Sequence, residues 1–234
     1  MNILKMTAAL TVFALTPVAA YAADLQRGVV AAPAPAALSG AYVSVFAGAG
    51  FDPHVTGHYT GAFSGFSVDF PLQTGYLIGA AIGTHLTSNL RGEIELSYAA
   101  HGANGATTTT RPNGSTFTEP DAGNFNATYL LGNLWYDIDA GGGITPYLGG
   151  GIGAAVLMPN FSSGGYVYGT NLTAFAAQLG AGIKFQLADN MTVDLGYRAK
   201  GVFGGTMLAA TGGVSVGSVQ SIDQTVQAGL TIGF

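Results

Sequence analysis

Cysteine is absent from this 234-residue sequence and charge is scarce: Asp, Glu, Lys and Arg together make up 8% of it, against about 25% in soluble domains. Without cysteine there is no disulfide framework, thiolate zinc site or cysteine nucleophile. With 7 basic and 12 acidic residues, a net charge of −5, the chain has no basic footprint for phosphate backbones, which excludes nucleic acid as a partner. The shortage of charge also argues against a coiled coil or a charged disordered tail. A helical membrane span is missing as well. Asp139 and Lys184 bracket a long uncharged stretch, but Pro146, Pro159, the Gly149-Gly150-Gly151 run and the polar FSSGG at Phe161 divide it. The pieces are shorter than the roughly 20 residues a spanning helix needs. What is abundant is apolar surface, 48% of residues, and glycine, 37 of them. Such a chain suits a membrane crossed by strands.

Residues 1–22 read as a secretory signal peptide. Lys5 supplies a positive start, Met6 to Leu15 an apolar core, Pro17 a break, and Ala20-Tyr21-Ala22 a small-x-small cleavage pattern. The apolar run is too short for an uncleaved anchor. Removal of Lys5 makes the mature chain one unit more negative. Residues 23–39 (ADLQRGVVAAPAPAALS) show no strand or helix period and read as a periplasmic Ala/Pro-rich tail.

From Gly40 onward the sequence alternates with period two. Arg91, Glu93, Glu95 and Ser97 share one face, against Leu90, Gly92, Ile94, Leu96 and Tyr98. Thr192, Asp194, Gly196, Arg198 and Lys200 oppose Met191, Val193, Leu195, Tyr197 and Ala199. Gln178, Lys184 and Gln186 fall with Gly180 and Gly182, against Phe175, Leu179, Ile183, Phe185 and Leu187. The last segment sets Thr225, Gln227, Gly229 and Thr231 against Val226, Ala228, Leu230, Ile232 and Phe234. These are two-faced strands. Four glycine-richer segments, 41–51, 76–86, 125–138 and 145–158, bring the expected number to eight, each of about the length that crosses a bilayer when tilted. Short connections carrying turn residues (Ser88-Asn89, Asp139-Ala140-Gly141, Asp189-Asn190) alternate with long loops at 52–74, 102–124, 159–173 and 204–222. The expected fold is all-β: an eight-stranded antiparallel up-and-down transmembrane β-barrel over residues 40–234. A soluble lipocalin-like barrel would have to cover its exterior with the sparse, glycine-rich polar faces.

The stretch Asn133-Leu134-Trp135-Tyr136-Asp137, followed by Thr145-Pro146-Tyr147-Leu148-Gly149-Gly150-Gly151-Ile152-Gly153, resembles the N-x-x-Y-D … T-P-Y-x-G-x-G-x-G pattern of small outer-membrane β-barrels, the opacity-like porins and porin-family surface antigens of Gram-negative bacteria. Gly75 to Gly83 is similar to their second strand, and the Ala-Asp-Leu start with its Pro/Ala spacer is similar to alphaproteobacterial members. Ala228, Leu230, Ile232 and Phe234 resemble the terminal signal read by the barrel-assembly machinery. The resemblance implies export by the general secretory route and an outer-membrane location, with lipid and lipopolysaccharide around a monomeric barrel. It implies a structural, envelope-integrity or surface-interaction role, with host, phage or envelope partners met through the four long loops. The alternative is a narrow porin-type channel. No peptidoglycan-binding domain is expected after Phe234.

Lumen parity collects Arg91, Glu93, Glu95, Asp137, Lys184, Asp194, Arg198 and Lys200. A charge at the lipid midplane costs about 2–4 kcal/mol, which by itself explains that partition. Inside, the eight form either a salt-bridged core or an ion-selective constriction. Glycines 79, 83, 149, 151, 153, 180 and 182 either admit a thin file of water or make room for Arg198, Trp135, Tyr147 and the lysines. Outward Tyr98, Tyr136, Tyr197 and Phe234 are expected in interfacial aromatic girdles. His54 and His58 near Asp52 could chelate a metal, but an isolated H-x-x-x-H in a loop is weak evidence for a site. His85 near Ser88 and Asn89 falls at a short turn, and His101 lacks a nucleophile and acid at fixed spacing. No catalytic residue, metal or cofactor is expected.

Overall fold

A computed structural model describes residues 40–141, 143–209 and 214–234. The expected signal peptide and Ala/Pro tail fall on residues 1–39, outside that range. The described residues form twelve strands: β1 (Ala41–Tyr59), β2 (Ser67–Pro71), β3 (Gly75–His85), β4 (Leu90–Gly102), β5 (Ala106–Thr110), β6 (Thr116–Asp137), β7 (Ile144–Ser163), β8 (Tyr166–Tyr168), β9 (Leu172–Ala188), β10 (Met191–Phe203), β11 (Thr206–Leu208) and β12 (Ser215–Gly233). Eight of them close a ring in the order β1-β3-β4-β6-β7-β9-β10-β12, each antiparallel to the next, and β12 returns to β1 with Tyr42 opposite Gly233 and Gly50 opposite Thr225. Closure matters because hydrocarbon cannot satisfy the N–H and C=O groups of an open sheet edge. Phe234 N–H donates to Ala41 O (2.9 Å) and Gly233 N–H to Asn190 O (2.9 Å), so Gly40 and Phe234 meet at the end of the short turns.

The alternation read from the sequence settles which way each strand faces. Ile94 (59% exposed), Ile152 (64%) and Leu179 (70%) stand outward, while Glu95, Asn133 and Gln178 are buried inside. Along β3 and one residue past its end, the outward set runs from Tyr76 to Leu86; at about 3.3 Å per residue and a tilt of about 40° it covers roughly 25 Å, the height of a lipid-facing band.

The four segments expected as loops are largely strand instead. β1 continues to Tyr59, β6 begins at Thr116, β7 reaches Ser163 and β12 begins at Ser215, with β2, β5, β8 and β11 filling most of what lies between. The Thr-rich run Ala106–Thr110 pairs with Thr116–Pro120, turning Thr107 and Thr109 inward. Threonine is polar enough to read as loop, but its β-branched side chain favours an extended pleat. Pro53 sits in a β-bulge, where a missing donor does no harm. Phe51 pairs with Gln224 and His54 with Ile222, so β1 carries an extra residue there; Thr56 pairs with Gln220 and His58 with Gly217, so β12 carries one in return. Ser218, inside this second bulge, has φ +52°. The two bulges cancel.

If Ile94 faces the acyl chains, Ile94→Arg destabilises the folded barrel by about 2–4 kcal/mol in urea titrations in lipid vesicles. The unboiled barrel also runs at a different apparent mass from the boiled chain on a denaturing gel. Equal stability of the variant, or equal migration, would contradict the membrane-facing assignment.

Candidate functional site

Register brings distant residues into inclined rows across the interior. Asn133 on β6 lies opposite Gly151 on β7, Gly151 opposite Gln178 on β9, Gln178 opposite Lys200 on β10, and Lys200 opposite Asp223 on β12. One step toward the short turns the row reads Trp135, Gly149, Gly180, Arg198 and Thr225. Large side chains thus stand beside glycine. A Cβ on Gly149 would lie 2.7 Å from the Trp135 ring, on Gly180 2.6 Å from Arg198 Cδ, on Gly182 2.6 Å from the Tyr147 hydroxyl, and on Gly151 1.9 Å from Asn133 Oδ1. Gly83 and Gly79 do the same for the rings of Tyr42 and Phe46, at 2.4 Å each. The inward glycines make room for their neighbours.

Nearest the short turns, Arg91 is the hub. Its Nε donates to Asp137 Oδ2 (2.8 Å), and its Nη1 donates to Glu93 Oε1 (2.9 Å) and to the Tyr42 hydroxyl (3.2 Å). Lys184 Nζ also donates to Asp137 Oδ2 (2.6 Å), and Trp135 Nε1 donates to Glu93 Oε2 (2.7 Å). One level up, Arg198 lies 4.2 Å above the Trp135 ring, a cation–π geometry, and donates to the Tyr147 hydroxyl (3.1 Å), which in turn donates to Asp194 Oδ2 (2.9 Å). Above that, Glu95 accepts from Lys200 Nζ (2.5 Å), Gln178 Nε2 (2.7 Å), Asn133 Nδ2 (2.9 Å) and the Ser97 hydroxyl (2.8 Å). Lys200 is 1% exposed. A charge so deeply desolvated is tolerable only when paired and fully hydrogen-bonded.

All eight charged residues singled out from the sequence therefore face the interior: Arg91, Glu93, Asp137 and Lys184 form one cluster, Glu95 and Lys200 a second, and Arg198 and Asp194 share Tyr147. Tyr42 and Asn133, which alternation alone does not single out, complete the two clusters, and His101 and Asp223 form a separate pair. His101 Nε2 lies 3.2 Å from Asp223 Oδ2, and both are buried. Both lie outside the segments in which the sequence alternates clearly, so their parity carries no signal. The cavity among Arg91, Glu93, Trp135, Lys184, Asp194 and Gln227 has a volume of about 30 Å³, space for about two waters.

Beyond His101 the interior turns apolar. Val55, Phe70, Leu77, Phe125, Leu157, Phe161, Tyr168, Met207 and Val216 form one buried cluster across the outer half of the ring. Phe161 stacks on Tyr168 with centroids 5.1 Å apart, and Phe70 meets Phe161 edge-on at 5.2 Å. Burial and then the neighbouring Tyr59 raise the Tyr168 phenol above its ordinary value, so it stays a neutral donor. Several of these residues lie where the sequence reads as loop. The signal available was their own alternation, as in Val68, Phe70 and Leu72.

The remaining singled-out residues are scattered. His54 Nδ1 lies 3.0 Å from Asp69 Oδ1, His58 is exposed, and His85 stands 5.6 Å from the Tyr42 ring. Among the described residues no group of three His, Cys, Asp or Glu side chains could hold a metal. Tyr136 and Tyr197 are exposed on the outer face and Tyr98 half-buried there. Ala228, Ile232 and Phe234 stand outward and exposed at the end of β12, with Leu230 half-buried.

The chain matches the outer membrane protein beta-barrel domain over residues 8–231. Uncharacterized proteins of Brucella abortus and Brucella suis are each 29% identical to it, over 58% of this chain and 55% of theirs, so the chain spans about half the length of the curated relatives it matches. Among solved structures, the outer membrane protein OprG from Pseudomonas aeruginosa superposes with a TM-score of 0.53 at 11% identity, covering 84% of this chain and 97% of that one. The outer membrane protease OmpT from Escherichia coli gives 0.51 at 8%, covering 83% and 97%. These two likenesses concern the fold alone.

Removing one partner of the buried Lys200–Glu95 pair leaves an uncompensated charge. Lys200→Met therefore costs about 3–5 kcal/mol in unfolding titrations, and Glu95→Gln with Lys200→Met recovers much of that loss. A single-variant cost below about 1 kcal/mol would mean that the pair is solvated.

Proposed function

Because the chain belongs to the outer membrane protein beta-barrel domain family, we propose that it acts as a closed barrel, a membrane-held scaffold whose outer strand extensions form its working surface. It sits in the outer membrane, surrounded by lipid. The observation that carries the reading is the filled interior. Ion pairs and aromatic rings occupy the half near the short turns, a buried apolar cluster occupies the other half, and the cavity between the charged residues holds about 30 Å³. Eight strands normally enclose a space that side chains can just fill, and a hydrated ion file needs a continuous path.

Arg91, Glu93, Glu95, Asp137, Lys184, Asp194, Arg198 and Lys200 are, on this reading, a structural network rather than a selectivity filter. The surface role is interaction with envelope, host or phage components. It is carried by the hairpins that end in β2, β5, β8 and β11, and lipopolysaccharide surrounds the band below them. Ala228, Leu230, Ile232 and Phe234 present the apolar, aromatic-ended strand that barrel-assembly machinery would take up. No catalytic group is assigned. The buried His101–Asp223 pair lies beneath the apolar cluster, away from any substrate at the surface.

Planar-bilayer recording tests the closed state. The purified barrel gives no steady conductance, whereas Trp135→Gly with Arg198→Gly, which empties the central row, gives steps that scale with salt. Steady, salt-proportional steps from the unaltered barrel would establish the narrow channel instead.

A further inference from the structure

The outer end of the molecule holds an aromatic recess that the interior network does not use. Tyr59, Phe63, Phe66, Phe117 and Tyr166 line a cavity of about 260 Å³, and Glu119 contributes a carboxylate to its wall. That volume lies below the roughly 300–1,000 Å³ of pockets for drug-sized ligands, so the recess suits a single small group. Its rings do not collapse on one another. Tyr59 and Phe63 are 6.3 Å apart at 58°, and Phe63 and Phe66 are 6.1 Å apart at 88°, so their faces point in different directions. The turn that presents them is tied by Tyr59 N–H to Phe66 O (3.0 Å) and Ser64 N–H to Gly61 O (3.1 Å).

Two further observations give the recess a sign. Glu119 is half-buried, and no described residue hydrogen-bonds or ion-pairs with its carboxylate. Its position depends on Gly164, where φ is +56° and a Cβ would lie 1.9 Å from Glu119 Oε2. Among the described residues of segments 53–74, 102–124, 159–173, 204–209 and 214–222, Asp69, Glu119 and Asp121 stand against Arg111 as the single Lys or Arg. That Arg111 guanidinium lies 4.4 Å above the Phe117 ring, so a ring that also lines the recess already holds a cation within the chain. Aromatic faces attract cations, and a carboxylate among them adds to the attraction. A quaternary ammonium has no N–H to satisfy and so suits ring-lined walls better than a lysine or arginine head.

We propose that this recess binds a trimethylammonium group, as free choline or as the phosphocholine head of a lipid. The assignment is independent of the closed-lumen reading, since a conducting barrel would keep the same recess. The test is calorimetric titration of the whole barrel in octyl glucoside, a detergent without an ammonium group. Choline should bind, and the neutral isostere 3,3-dimethylbutan-1-ol should bind at least tenfold more weakly. Glu119→Gln, and separately Gly164→Ala, should weaken choline by about fivefold or more, with the gel shift of the folded barrel retained. Dihexanoylphosphatidylcholine below its micellar concentration separates the sources: binding equal to or tighter than choline assigns the lipid head group, and weaker binding assigns the free cation. No choline binding, or equal binding of the isostere, overturns the proposal; that comparison uses the unaltered chain and stands whatever the variants do.

Discussion

Lipid hydrocarbon offers no hydrogen bonds, and most of this structure follows from that one constraint. A strand crossing it must find partners on both sides, so the sheet closes and β12 meets β1. Closing eight strands leaves an interior just wide enough for side chains to fill. The outward faces must be apolar, so polar and charged groups are driven into that narrow space. Once there they must satisfy one another, because no bulk water reaches Lys200 or Glu95. The scarcity of charge, the inward placement of the charge there is, and the abundance of glycine are successive consequences of the same solvent.

The interior resolves its crowding by pairing bulk with absence. Trp135 and Arg198 occupy one row with Gly149 and Gly180 between them, and Tyr147 lies against Gly182 and Gly196. Each large residue occupies the volume its neighbours lack, so the rings and guanidinium groups can reach across strands without displacing backbone. The outer half solves the same problem with apolar side chains, which is why Phe70, Phe161 and Tyr168 can pack where Arg91 could not.

Much of this was legible in the sequence, and the limit of legibility has a physical basis. Period two reports the face on which a residue falls, so the inward placement of Glu95 and Lys200 followed from their neighbours alone. It does not report which residue stands across the strand pair. That depends on the stagger of the ring, so Gly151 could not be matched to Asn133, nor Gly180 to Arg198, before the register was known. The outer extensions were hidden for a different reason. Thr107 to Thr110 and Ser215 to Ser218 have loop composition, yet pairing with a neighbouring strand overrides so weak a local preference. The aromatic recess was equally hidden, because its rings come from three segments that are far apart in the chain.

The seam between β1 and β12 has an extra residue on one strand near Pro53 and an extra residue on the other near Ser218. A slip of one residue there would turn every side chain to the wrong face, but a slip of two would keep each face correct. Alternation alone is blind to that second error. The paired bulges are not: they mate at one offset, because each irregularity needs its counterpart a fixed distance along the opposite strand. The joint between the ends of the chain is thus indexed like a key and its lock, and the barrel has a single circumference at which it can shut.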